Sequence, residues 1–135
     1  MTKPVLSPQA AAFLERWHEM IRARDVRLLE PFVAEDAIIA SPMFWKPKGP
    51  RAYVMAILEQ VTRHFEDFHY TKEWIDEPVL LLEFEARIDD KKLKGIDRIV
   101  LGEDGRMTAI EVLIRPMNGL QALAEKIMLG LGTKP

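Results

Sequence analysis

Near Phe68 the hydrophobic period of this chain changes from about 3.6 residues to 2, and the period of 2 holds as far as Arg115-Pro116. That switch constrains the fold more than any other feature, because helices come first, strands follow, and the two must pack as segregated layers. Before it, Ser7-Pro8 is a helix start, with Ser as N-cap and Pro at the first helical position. Phe13, Leu14, Trp17, Met20 and Ile21 then line one helical face. Asp25 can cap a second, short helix carrying Leu28, Leu29 and Phe32, weakened at its end by Pro31. Residues 37–40 read as a short strand, and Pro42 to Pro50 as a loop with apolar tips at Met43, Phe44 and Trp45. A third helix is expected over about 51–65, with Tyr53, Ile57, Val61 and Phe65 at helical spacing.

After the switch, Phe68, Tyr70 and Trp74 mark one strand, although Lys72 interrupts its apolar side. Leu80, Leu82, Phe84, Ala86 and Ile88 share one parity, opposed by Glu83, Glu85 and Arg87. Leu93, Ile99 and Leu101 repeat the pattern, as do Thr108, Ile110, Val112 and Ile114. Leu120, Leu123, Ile127 and Leu131 indicate a last amphipathic helix. The fold class is therefore α+β, an antiparallel sheet with helices on its uniformly apolar face. If the Asp89–Lys92 turn pairs Ile88 with Leu93, Phe84 lies opposite Asp97 and Glu83 opposite Arg98. The other face mixes Leu81, Ile96, Val100 and Leu113 with Glu83, Arg87, Arg98, Glu111 and Arg115. Such a surface suits a homodimer contact; solvated sheet is the alternative.

Composition narrows the partners. The 135 residues form one expected domain, with 19 basic residues against 21 acidic ones and no long run of like charge, so no nucleic-acid footprint is present. There is no Cys, which removes disulfides and thiolate metal sites. No apolar run is long enough to span a bilayer and no signal-peptide layout opens the chain, so a cytosolic protein without a membrane partner is expected. The three histidines, His18, His64 and His69, sit on separate elements and make a poor metal site. His18 flanks Trp17, His64 stands near the helix carbonyls that end the third helix, and His69 points outward. No phosphate-cradling glycine loop or dinucleotide fingerprint appears, and no cofactor is expected.

One residue breaks the pattern. Asp97 shares its parity with Leu93, Gly95, Ile99 and Leu101, which puts a carboxyl group on the apolar face of the sheet. Burial disfavours the charged form, so the group must find hydrogen-bond partners or hold its proton. Carboxyl groups kept in apolar pockets serve as general acids or hydrogen-bond donors; a buried Asp satisfied by a Tyr, Trp or backbone amide is the structural alternative.

Several stretches, in order, carry a resemblance: WHEMIRARD over 17–25, Glu35-Asp36-Ala37 running to Ser41-Pro42, Lys48-Gly49, Gly95-Ile96-Asp97, Glu103-Asp104-Gly105-Arg106 and Ile114-Arg115-Pro116. Together they resemble the SnoaL-like, nuclear transport factor 2-like superfamily, with its ketosteroid isomerases and polyketide cyclases, over about residues 8–130. The resemblance implies a cone, a curved sheet wrapped around the first and third helices, with a pocket at the open end and dimers through the outer sheet face. The ketosteroid isomerases so resembled use a Tyr and a protonated Asp as oxyanion donors and a second Asp as base. The protonated Asp matches Asp97, the Tyr position falls on Trp17, and the base position falls on Ser41. Polyketide cyclases use a strand acid at a position resembling Asp97.

Trp17, Met20, Phe32, Phe44, Trp45, Tyr53 and Phe84 are the candidate lining of an apolar pocket. Phe44 and Trp45 stand between prolines and are expected to fold down as a lid or to pack on a partner subunit. The ligand implied is a small cyclic ketone, steroid-like or phenolic molecule. Three readings stay open. One is a cofactor-independent isomerase, cyclase or dehydratase using Asp97 as acid/base or oxyanion donor, with Trp17 a second donor and Ser41 a polar contact. The second is a non-catalytic binding or dimeric accessory module, in which Asp97 and Trp17 only orient a hydrophobic molecule, and the third is a dimeric scaffold with a filled core.

Overall fold

Local chemistry accounts for where the helices begin and end. In a computed structural model that describes residues 6–131, helix α1 spans Pro8–Ala23. The Ser7 hydroxyl accepts from the Ala10 N–H at 3.1 Å, satisfying one of the first-turn donors. It also donates to Glu77 at 2.5 Å, tying the start of α1 to the far end of the sheet. Arg24 ends the helix in the left-handed conformation, φ 53°. A 3-10 helix, Val26–Phe32, follows with Asp25 as its cap. Helix α2 is Arg51–His64, and α3 is Met117–Gly130.

The five strands are β1 (Val33–Ala40), β2 (Glu66–Asp76), β3 (Val79–Ile88), β4 (Lys91–Leu101) and β5 (Met107–Arg115), in the spatial order β1-β5-β4-β3-β2. β1 is twice the expected length and runs parallel to β5, so the sheet is mixed at that edge and antiparallel elsewhere. The alternation in β3 is obeyed throughout: Leu80, Leu82, Phe84, Ala86 and Ile88 are buried while their neighbours face outward. Those side chains meet Phe13, Leu14, Trp17 and Met20 of α1 and Val54, Ile57 and Leu58 of α2 in one apolar core.

Two expectations are corrected by the strand pairing. The β3–β4 hairpin turns on Asp89 and Asp90 alone, pairing Ile88 with Lys91; Asp89 takes the left-handed conformation, φ 54°, which such two-residue turns require and Asp tolerates. The register therefore slides by two residues, so Leu82 lies opposite Asp97 and Phe84 opposite Gly95, and Glu83 pairs with Ile96. A two-residue slide leaves every side chain on its expected face. Second, β2 carries an irregularity between Tyr70 and Lys72, an extra residue that flips the strand beyond it. Trp74 thus stands on the outer face beside Leu81, 42% exposed, and Ile75 takes the inner side. α3 packs against α2, β4 and β5, and Gly119 lets it approach so closely that an added Cβ would meet Leu93 at 2.9 Å. Among the described residues no helix is long and apolar enough to cross a membrane.

Candidate functional site

Between the inner face of the sheet and the three helices lies a cavity of about 400 Å³. Trp17 and Met20 reach it from α1, Ile57, Leu58 and Val61 from α2, Val112 and Ile114 from β5, and Leu120, Leu123 and Ile127 from α3. The wall is therefore mostly aliphatic and aromatic, the lining of a site for an apolar molecule with few polar groups. The polar side chains among the buried and half-buried walls are Trp17, Ser41, Thr62, Tyr70 and Asp97, and the exposed ones are Arg22, Arg24 and Asp67.

Asp97 sits where its parity put it, on β4 with its side chain inward and 8% exposed. Tyr70 on β2 donates its hydroxyl to Asp97 Oδ2 at 3.1 Å, and Trp17 Nε1 donates to the Tyr70 oxygen at 2.6 Å. The direction of this relay is fixed at its first member, because an indole N–H can only donate. The Tyr70 oxygen accepts from it and spends its own proton on Asp97. Among the described residues no buried side-chain nitrogen or oxygen lacks a partner, and the side-chain hydrogen bond that reaches Asp97 ends on Oδ2. Oδ1 is thus the oxygen that opens onto the cavity.

Electrostatics follow from that placement. Burial pushes the Asp97 carboxyl up from 3.8 to about 7, against the Tyr70 hydrogen bond, which pulls it down. Burial and the neighbouring Asp97 also push the Tyr70 phenol well above its usual 10. Near neutral pH the relay therefore contains one group that exchanges its proton readily, Asp97, and one that keeps it, Tyr70. Asp67, the other carboxylate in the cavity lining, is bound by Arg87 Nε at 2.6 Å. The Ser41 hydroxyl accepts from the Met43 N–H at 3.2 Å, which leaves its own proton free to donate.

The expected site residues divide into two groups. Asp97, Trp17 and Ser41 line the cavity together. Phe44, Trp45, Tyr53 and Phe84 do not. Phe84 is 1% exposed, stacked on Phe68 at 5.0 Å in the aromatic layer behind the wall, and Tyr53 packs against the core. Trp45 is 98% exposed and Phe44 lies under Lys48 at 4.5 Å, so neither folds over the opening. The short pairing of Ile39 with Lys48 holds their loop along β1 instead, and α3 provides the cover. His18 bonds Glu73 at 2.7 Å, and His64 bonds the Gln60 side chain at 3.2 Å rather than helix carbonyls. No cluster of metal-ligating side chains forms among the described residues. Tyr70, expected only as an inward residue of its strand, is the tyrosine that satisfies the buried carboxyl, as the structural alternative for Asp97 required. Its signal was present, since a tyrosine shared the inward parity of a strand in a sheet already holding one misplaced carboxyl.

Comparison with solved structures places the fold. A steroid delta-isomerase from Pseudomonas aeruginosa superposes with a TM-score of 0.92 at 41% identity, covering 96% of both chains. This chain belongs to the SnoaL-like, nuclear transport factor 2-like superfamily. A conserved bacterial protein with a cystatin-like fold from Silicibacter pomeroyi superposes at 0.84 with 27% identity, over 90% of this chain and 86% of its own. A nuclear transport factor 2-like protein from Cytophaga hutchinsonii shares the fold at 13% identity, with a TM-score of 0.63 over 87% of this chain and 97% of its own. No family model and no curated protein matches the sequence. Within the superfamily the curved sheet and helices are the common frame, and activity resides in the side chains placed inside it.

Proposed function

We propose that this superfamily member binds a small cyclic ketone in its apolar chamber and moves a proton between two carbons of it, with Asp97 as the proton carrier. The observation that carries this reading is a single one. Asp97 is the chamber carboxyl with an oxygen free of the protein, and its proton affinity is matched to neutral pH. In the ionised form Oδ1 takes a proton from a carbon next to the carbonyl. The C–H electron pair becomes the enolate double bond, and negative charge moves to the ligand oxygen. The Asp97 acid then returns the same proton to a more distant carbon of the conjugated system, restoring the carbonyl with the double bond shifted. Nothing is oxidised or reduced. Ser41, with its hydroxyl proton uncommitted, is the donor for the developing oxygen charge. The similarity to a steroid delta-isomerase over nearly the whole chain supports this class of reaction.

The non-catalytic reading draws on one observation. Where the resembled isomerases place their base, this chain has Ser41, and among the described residues the other carboxylate of the cavity lining, Asp67, is paired with Arg87. The two readings part on conversion of a β,γ-unsaturated cyclic ketone to its conjugated isomer, followed by ultraviolet absorbance. Turnover that falls about a thousandfold in Asp97→Asn, with binding retained, establishes proton transfer. Binding without turnover in either protein establishes the accessory module. A rate that rises with pH through about 7 assigns the base role to Asp97, and a rate that falls assigns it the role of oxyanion donor.

We propose further that two copies pair through the outer sheet face. Trp74 and Leu113 are 42% and 50% exposed there, beside Leu81 and Ile96, and Arg98 pairs across strands with Glu111. An apolar stripe framed by opposite charges is the composition of a subunit contact.

A further inference from the structure

We infer that the ligand is an amphiphile, an apolar ring system carrying an anionic group that rests at the mouth of the chamber. This rests on the chamber being a ligand site, and it specifies what enters. The exposed members of the cavity lining, which mark its mouth, are Arg22, Arg24 and Asp67. Asp67 is paired with Arg87, a guanidinium that it shares with Glu66. Arg24 is held to the end of α2 by one nitrogen only, Nη2, which donates to the Thr62, Arg63 and Phe65 carbonyls at 2.7, 3.1 and 3.2 Å. Its Nη1 and Nε remain for another acceptor. Arg22 has no carboxylate partner among the described residues. Two guanidinium groups therefore border the opening, and among the described residues neither forms an ion pair.

The opening does not end there. Ile21, Arg22, Phe68 and Tyr70 also line a shallow groove between α1 and β2, whose further walls include His18, Lys72 and Glu73. Glu73, the one carboxylate in that groove, is occupied by His18. The path from chamber to surface is thus positive in a chain whose overall charge is −2. Cations at the last turn of α1 also complement its dipole, but that role needs no cavity beside it and predicts no ligand preference. Planar, multiply donating guanidinium groups suit carboxylate, sulfonate or phosphate oxygens.

A matched pair of fluorescent probes tests the inference: anilinonaphthalene sulfonate and phenylnaphthylamine, nearly the same ring system with and without the anion. Both are expected to brighten on binding, and both to be weakened by Leu120→Trp, which fills the chamber from α3. At low ionic strength the sulfonate should bind about tenfold tighter, with the preference shrinking as salt is added. Arg22→Gln should remove most of that preference and leave phenylnaphthylamine unchanged. Equal affinity for the two probes, or a preference untouched by Arg22→Gln and by salt, overturns the anionic group while keeping the chamber. Binding of neither probe overturns the chamber reading itself and this inference with it.

Discussion

Tyr70 and Asp97 lie on strands that do not touch, yet the hydroxyl of one reaches the carboxyl of the other at 3.1 Å. β3 runs between them, and a strand spacing of about 4.8 Å separates β2 from β4 by roughly 10 Å. The phenol ring spans that gap over the β3 side chains, and Trp17 from α1 meets its oxygen from above. Three elements far apart in sequence are pinned at one buried acid.

The acid makes stability depend on pH. Because the folded chain holds the Asp97 proton at about 7 against 3.8, it binds that proton more tightly than the unfolded chain. The contribution is fully present below about pH 4 and is lost as pH rises through about 7, amounting to roughly 4 kcal/mol for this group. Denaturant titrations from acidic to mildly alkaline pH should show that decline in the native protein. Asp97→Asn, which cannot titrate, should lack it.

Tyr70→Phe removes the acceptor for Trp17 and the donor to Asp97 in one step. A buried indole N–H without a partner costs about 1–3 kcal/mol, so the urea midpoint should fall. The Tyr70 bond is what lowers the Asp97 proton affinity, so the carboxyl should titrate higher still, as carbon-detected nuclear magnetic resonance of the Asp97 side chain would read. An unchanged titration would remove Tyr70 from the relay.

Gly95→Ala should disturb the site from behind. An added Cβ would fall 2.5 Å from the Leu113 carbonyl and against the Phe84 ring, an overlap that costs about 1–3 kcal/mol. Phe84 stacks on Phe68 at 5.0 Å, and Phe68 lines the chamber. Loss of stability should therefore come with weakened ligand binding, measured by denaturation and by probe titration on the same variant.

Leu113→Arg tests the proposed pairing of two copies. A charge at the centre of the outer stripe should turn a dimer into a monomer by sedimentation, with the Asp97–Tyr70 relay intact on the opposite face. A native protein that sediments as a monomer at tens of micromolar would reject the pairing.

Much of this site was written in period and parity. Asp97 could be placed inward from the sequence because alternate residues of a strand share a face, whatever the register. The same rule misplaced Trp74, since a single extra residue after Tyr70 reverses the parity of all that follows. Phe44 and Trp45 were expected over the opening because an apolar pair between prolines needs a reason. Their loop is instead tied to β1 by a short pairing between Ile39 and Lys48, a contact that local pattern does not encode.

Fold class, the helical and inward faces, the caps at Ser7 and Asp25 and the anomaly at Asp97 were determined by the sequence itself, because each depends on neighbours within a few residues. Tertiary structure decided the rest: the parallel pairing of β1 with β5, the two-residue turn that set the β3–β4 register, α3 as the cover of the chamber, and the arginines at its mouth. Those depend on which distant segments approach one another. That choice is made by the packing of the whole core, where no local repeat records it.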